Sequence, residues 1–257
     1  MRAEIAAQTE KGNIMIEIFQ DYLRKNNYDR FELKAVLFDM DGVLFDSMKY
    51  HARSWKQTMN EYGLNSTEEE FYLYEGMIGS NTINTIVRRE KGRDATAQEK
   101  ADIYARKTEL FSQMNKGDMI PFALDFVNKV RSEGFDALVV TGSGQPSLID
   151  RLNNSFPNCF KREDMVTAFD VKHGKPHPEP YLMGLSKAGN LKPNQTIVVE
   201  NAPRGVEASV AAGIFTIAVN TGPIPDQVLA DAGANIVLPS MKALYDNWDK
   251  YKAFLID

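Results

Sequence analysis

The 257-residue sequence holds a single cysteine, Cys159. That excludes an intrachain disulfide framework and any site built from several thiolates, structural zinc and iron–sulfur clusters included. Histidine is almost as scarce, with His51, His173 and His177 as the full complement, so a His-rich metal centre lacks its ligands. There is no excess of basic charge: 30 Lys and Arg against 35 Asp and Glu leave a formal net charge of −5. Neither nucleic acid nor an anionic membrane is therefore expected as a partner through bulk charge, and any anion must be held by local donors. No apolar run is long enough to span a bilayer, and the stretch Met1 to Phe19 is interrupted by acidic residues where a signal peptide would be continuously apolar. A reducing, cytoplasmic setting is the expectation. Under it the sequons at Asn65, Asn153 and Asn194 carry no glycan. Internal repeats and low-complexity segments are also missing.

What is present is an ordinary globular composition, 43% apolar and 25% charged, with length enough for one large domain or two modest ones. Short β-rich runs fall at 34–38, 135–140, 165–169, 196–200, 214–219 and 235–238. Between them lie stretches of helical character at 122–133, 146–153, 178–189, 203–212, 225–231 and 240–254. Strand and helix alternating at this spacing predict βαβ units and a doubly wound, mostly parallel, Rossmann-like α/β sheet. The first two strands are separated by a long interval in which 48–63, 80–91 and 96–115 read as helices, with turn breaks at Gly63 to Thr67 and at Gly92. An inserted all-helical cap over 49–115, with 34–48 and 116–257 as the α/β core, accounts for that spacing. Residues 1–33 form an N-terminal extension whose Ile14, Ile16, Ile18, Phe19 and Leu23 suit an amphipathic helix packed on its own domain.

In open α/β sheets the site lies beyond the carboxyl ends of the strands. Here those ends carry Asp39 and Asp41, then Thr141, Gly142 and Ser143, then Lys175 and His177 after the third strand, and Glu200 with Asn201 after the fourth. Carboxylates and an amide oxygen suit a hard cation, and a hydroxyl, backbone N–H groups and an ammonium suit an anion. This is the inventory of Mg²⁺-assisted phosphoryl transfer. Asp39 and Asp41 stand two apart at an extended strand end and can face one side. One can attack phosphorus while the other handles the proton of the exchanged oxygen. A calcium loop is a poorer reading, since Leu44 and Tyr50 stand where an EF-hand needs Gly and Glu. TGSG at 141–144 has no third glycine and is not a dinucleotide loop. Pro176 and Pro178 stiffen the loop carrying Lys175. His177 is open between a substrate contact and a loop hydrogen bond, and His173 and Cys159 read as structural.

Taken together, DMDGV at 39–43, Thr141, Lys175 and Glu200-Asn201 resemble the four motifs of the haloacid dehalogenase superfamily of phosphotransferases, over about residues 34 to 240. The helical insertion and FDSMKYH at 45–51 are similar to the β-phosphoglucomutase and phosphoglycolate phosphatase branch, which has a small helical cap. The resemblance implies Asp39 as nucleophile and Mg²⁺ ligand, Asp41 as general acid/base offering its carbonyl to the metal, and Thr141 and Lys175 as phosphoryl-binding groups. It also implies Glu200 and Asn201 as the rest of the metal sphere, directly or through water. His51 matches a proton-gating position of the mutases.

The chain departs from the branch at Asn201, commonly Asp, and at YEGMIGSNT, 74–82, where Glu75 replaces a basic residue and Gly79 replaces an arginine that grips a second phosphate. A cap carboxylate over a phosphate site implies a cation between them. Pyrophosphatases of the branch are similar in having one. A Mg²⁺-dependent phosphohydrolase of a small phosphate compound, inorganic pyrophosphate first, is therefore the expectation. A phosphosugar mutase, a sugar phosphate or phosphoglycolate phosphatase, and a non-catalytic binding protein are the alternatives. Oligomeric state is not legible.

Overall fold

The computed structural model describes residues 2–144 and 148–256. Among them six strands form one parallel sheet: β1 (Ala35–Phe38), β2 (Asp136–Val140), β3 (Met165–Val166), β4 (Thr196–Glu200), β5 (Phe215–Val219) and β6 (Ile236–Leu238). Their order is β3-β2-β1-β4-β5-β6. The chain runs outward from β1 to β3, returns, and continues outward on the other side, so β1 and β4 flank the switch point where such sheets bind ligands. β1, β4 and β5 are buried along their whole length, as expected where helices cover both faces of a parallel sheet.

Alternation along β1 divides the core in two. Val36 and Phe38 join Val139, Ile197 and Val199 against α6 (Ala123–Ser132), α11 (Met241–Leu255) and α1 (Arg2–Asn26). Leu37 points the other way, into a cluster with Leu138, Val140 and Val198 under α8 (Glu179–Lys187) and α9 (Pro203–Ala211). Each such buried aliphatic side chain stabilises the fold by about 1.5–3 kcal/mol. The loops at the strand ends therefore sit on a rigid platform. The N-terminal helix packs on this core through the later part of its pattern, with Ile18 and Leu23 half-buried and Ile14 and Ile16, expected on the packed face, exposed: the Phe19 ring stacks on Phe215 at 4.7 Å, and Tyr22 donates a hydrogen bond to the Gly213 carbonyl at 2.8 Å.

Between β1 and α6 the insertion comprises α2 (Met48–Glu61), α3 (Glu68–Leu73), α4 (Gly79–Lys91) and α5 (Ala97–Met114). It has its own apolar cluster, built on Trp55, Met59, Phe71, Ile83, Ile86, Val87 and Ile103. α3 begins directly after Gly63 to Thr67, the stretch read from the sequence as a turn, and is not among the helices expected there. Thr67 and Glu70 form a reciprocal capping box that starts the helix, and Phe71 stacks on Trp55 at 5.9 Å. α5 starts with the same device at Thr96 and Glu99.

Strand β3 is shorter than its apolar run because Asp170 takes both the backbone N–H of Thr167, at 2.8 Å, and its hydroxyl, at 2.7 Å, and so ends the ladder. After β2 comes α7 (Leu148–Ser155). Residues 146 and 147, expected to begin that helix, lie outside the described residues. α10 (Asp226–Asp231) connects β5 to β6.

Candidate active site

The backbone N–H of Asp39 donates to the Val199 carbonyl at 2.9 Å, which carries the strand pairing into the site. Three residues on, Gly42 adopts φ +91°, and a Cβ there would lie 2.0 Å from Nδ2 of Asn201. Glycine is required on both grounds. The turn is held by Gly42 N–H to Phe45 O at 2.7 Å and by the Thr221 hydroxyl on Gly42 O at 2.6 Å. It aims Asp39 and Asp41 into one buried site.

Lys175, also buried, reaches in from the loop before α8. Its Nζ donates to Asp39 Oδ1 at 2.5 Å, Glu200 Oε1 at 2.6 Å and Val140 O at 3.1 Å. Burial alone would discharge this ammonium, but Asp39 and Glu200 outweigh it and hold its pKa above the ordinary lysine value. Thr141 is fixed by its N–H on Val166 O at 2.9 Å, and its hydroxyl accepts from Ser143 N–H at 3.0 Å. Burial and the neighbouring Glu200 and Asp41 carboxylates raise Asp39 above the usual carboxylate range against the pull of Lys175.

Asp41 is governed by the cap. Ser47 hydrogen-bonds to its Oδ1, and His51 Nε2 lies 3.3 Å from the same oxygen. On the far side of the ring, Lys107 Nζ lies 2.6 Å from His51 Nδ1. The imidazole stacks on Phe111 at 3.9 Å. Burial raises Asp41, but His51, Arg151 and Ser47 prevail and lower it. Burial first, then the Lys107 charge, lowers His51 to about 4. Burial thus opposes a charge on the imidazole, whose Nε2 stands beside Asp41 Oδ1. Burial lowers Lys107 to about 7.

From the loop between α3 and α4, Glu75 Oε2 accepts a hydrogen bond from Asn201 Nδ2 at 2.9 Å. Glu75 Oε1 and Asn201 Oδ1 are both buried with no hydrogen-bond partner. Burial, then Asp39 and Glu200, raise Glu75 well above the carboxylate range. Backbone closes on backbone alongside, since a Cβ on Gly142 would lie 2.7 Å from the Gly76 carbonyl. The enclosed cavity is about 70 Å³, room for a few water-sized groups at about 10–15 Å³ each. Its floor is Asp39, Asp41, Thr141, Gly142 and Ser143, and its roof is Trp55, Phe71, Tyr74 and Tyr104 with Glu75 and Lys107.

One sequence expectation differs from these positions. His177 faces outward: its side chain is 52% exposed, Nδ1 accepts the Glu179 N–H at 3.2 Å, and the ring lies beside His173. It takes the loop hydrogen bond, not the substrate contact. Glu200 is turned onto Lys175 and Tyr181, with its other oxygen on the Asn201 and Ala202 N–H groups, an arrangement that suits the water-mediated form of the two metal roles the resemblance implies rather than the direct one. Lys107, Tyr104 and Tyr181 have no motif to announce them, and Ser47 lies within FDSMKYH at 45–51, where the sequence does not single it out. Lys107 and Tyr104 belong to α5, away from His51 on α2, and Tyr181 to α8, beyond the loop of Lys175, so only the packing brings them together. Gly79, where the mutases have arginine, opens α4, and a Cβ on it would lie 2.4 Å from the Tyr104 ring.

The donor set fits a hard cation. Among the described residues no three His, Cys, Asp or Glu side chains converge in a metal-holding group. Next to Asp39, however, stand the unpartnered Asn201 amide oxygen and Glu75 carboxylate oxygen, both hard donors of the kind Mg²⁺ prefers.

The sequence profile of the haloacid dehalogenase-like hydrolases matches residues 36–219, and the chain belongs to that family of enzymes. Hexitol phosphatase A of Escherichia coli (strain K12) is 31% identical over 188 residues, 73% of this chain and 83% of that protein. Pyrophosphatase PpaX of Oceanobacillus iheyensis is 26% identical over 187 residues, again 73% and 83%. A solved structure from Bacteroides vulgatus, a candidate beta-phosphoglucomutase, shares 52% identity and a TM-score of 0.92, covering 96% of this chain and 100% of that one.

Proposed function

We propose that the protein is a Mg²⁺-dependent phosphohydrolase of small phosphate compounds, with residues 49–115 as its cap. The observation that carries hydrolysis over phosphosugar isomerisation is at Gly79. A mutase must grip a second phosphate, preferably with a bidentate guanidinium. Here the first residue of α4 has no side chain, the Tyr104 ring fills that space, and position 75 carries an acid in place of a basic group.

The relatives' names favour a sugar phosphate over pyrophosphate, the hexitol phosphatase being the more similar of the two enzymes compared. A sugar phosphate monoester is accordingly the leading substrate class, in place of the pyrophosphate expected from the sequence. Pyrophosphate is kept as a second reading for one reason. Glu75 places a buried carboxylate with a free oxygen over Asn201, suited to a substrate of high charge that brings a cation with it, and the cavity is small.

Asp39 Oδ attacks phosphorus in line, forming the aspartyl phosphate as the bond to the leaving oxygen breaks. The Thr141 hydroxyl and the Gly142 N–H receive the equatorial oxygens, with the Ser143 N–H holding the Thr141 hydroxyl in place, and the Lys175 charge fixed beside Asp39 offsets the negative charge of the transferring group. Asp41 gives the leaving oxygen its proton, then takes one from the water that attacks the phosphoenzyme and releases Asp39. Since Asp41 rests ionised, the proton reaches it through His51, whose other nitrogen faces Lys107. Mg²⁺, held by Asp39, the Asp41 carbonyl, Asn201 and Glu75, would neutralise charge on the transferring group. A phosphate-release screen over hexose phosphates, hexitol phosphates, phosphoglycolate and pyrophosphate with Mg²⁺ tests the reading. Free phosphate supports it, and interconversion of glucose phosphates without release overturns it.

A further inference from the structure

Tyr181, near the start of α8, is fully buried beneath the site, among Leu37, Val140 and Val198. A phenol in such apolar surroundings is costly unless its hydroxyl is bonded. Here the hydroxyl donates to Glu200 Oε1 at 2.8 Å, and the ring lies 5.0 Å from Lys175 Nζ. Glu200 is saturated as a result. Oε1 receives Tyr181 and, at 2.6 Å, Lys175. Oε2 receives the N–H of Asn201 at 2.9 Å and of Ala202 at 3.1 Å. The carboxylate is pressed against α9, where a Cβ on Gly205 would lie 1.7 Å from Oε1. Lys175 is saturated too, its three donors on Asp39, Glu200 and Val140.

We propose that Tyr181 is a positioning residue: with the two amide N–H groups it fixes Glu200 as the anion that aims Lys175 at Asp39, and it keeps Glu200 out of the metal's ligand set. Its effect on turnover rests on the phosphohydrolase reading. Its effect on the ligand set does not. Without the hydroxyl, Oε1 keeps Lys175 as its single donor and draws the ammonium toward itself, away from Asp39 and the phosphoryl oxygens. Supporting hydrogen bonds of this kind are typically worth about 10- to 100-fold in activity.

The test is Tyr181→Phe, which keeps the ring, with Glu200→Gln, the double variant and Asn201→Ala. Tyr181→Phe should lower kcat for phosphate release about tenfold with KM little changed, while calorimetric Mg²⁺ titration gives wild-type affinity within about twofold. Asn201→Ala should weaken Mg²⁺ about tenfold or more. In the Glu200→Gln background, Tyr181→Phe should cost nothing further, because it acts through the group already changed. Wild-type kcat in Tyr181→Phe, a tenfold loss of Mg²⁺ affinity in it, or additive losses in the double variant would each overturn the proposal. If the wild-type protein releases no phosphate from any substrate, the functional reading fails, and the Mg²⁺ titrations still decide the ligand set. Should Tyr181→Phe not fold, Glu200→Gln decides: Mg²⁺ affinity within about threefold of wild type supports the proposal, and a loss of tenfold or more overturns it.

Discussion

The floor and the roof of the cavity are built on opposite terms. On the floor every charged group is paired without a substrate: Lys175 saturates itself on Asp39, Glu200 and Val140, and the Glu200 carboxylate takes four donors. The roof leaves work undone. Glu75 buries an oxygen with no partner, next to the equally unpartnered Asn201 oxygen at the end of β4, Lys107 is held among Trp55 and Phe111, and Tyr104 occupies the space a side chain at Gly79 would need. Pre-paired floors suit a step common to all substrates, because preorganised charges need not rearrange during reaction. Unsatisfied roof atoms suit selection, since a ligand that completes them gains what they lost. Chemistry therefore belongs to the sheet and specificity to the helices.

Breaking the floor should have the largest effect. Asp39→Asn removes the nucleophile and a metal charge, and phosphate release should fall by about 10⁴ or more with Tm retained. Residual turnover above a tenth of wild type would place the nucleophile elsewhere.

Asp41→Asn comes next, with a loss of about 10² to 10⁴ in turnover. The phosphoenzyme should form slowly and decay more slowly still. Rapid-quench kinetics check this, and equal turnover in mutant and wild type would remove Asp41 from the mechanism.

At the roof the effects are smaller and selective. Glu75→Ala should change the ratio of kcat/KM for pyrophosphate to that for a hexose phosphate by about tenfold, equivalent to about 1.4 kcal/mol. A fall in the ratio favours pyrophosphate as the fitted substrate, and an unchanged ratio makes Glu75 a structural residue.

Lys107 sharpens the contrast through stability. Its pKa drops from the ordinary 10.5 to about 7 on burial, so between those values the unfolded chain binds a proton that the folded chain does not. Stability then rises with pH across that window and its dependence on Lys107 is flat below it. Lys107→Met should abolish the slope and raise stability at pH 7 by about 1–4 kcal/mol. Chemical denaturation at several pH values reads both.

This division also explains what could be read without coordinates. Each strand run, the helix after each, and the residues at the strand ends were legible, because a buried parallel strand is a short apolar run and its loop is anchored to its last residue. Asp39, Asp41, Thr141 and Lys175 needed no packing information. His177 was misplaced because a loop between two prolines gives no facing. Whether Glu200 meets the metal directly or through water was not legible, because the hydroxyl of Tyr181 that occupies it is separated from it by 19 residues. Lys107 and Tyr104 lie on α5, where helical periodicity gives a face but not the cavity it meets. Thr67 and Glu70 did carry a legible signal, the capping box, which starts where the stretch read as a turn ends.

The central claim, that the phosphoryl group passes through Asp39, is tested most directly by quenching Asp41→Asn during turnover with Mg²⁺ and a cleaved substrate and mapping the peptides by mass spectrometry. The expected result is one phosphoryl group on the peptide containing Asp39, lost at high pH as an acyl phosphate is, and absent when Asp39→Asn is added. Phosphoryl groups on another residue, or phosphate release with no phosphoenzyme at any quench time, would contradict it.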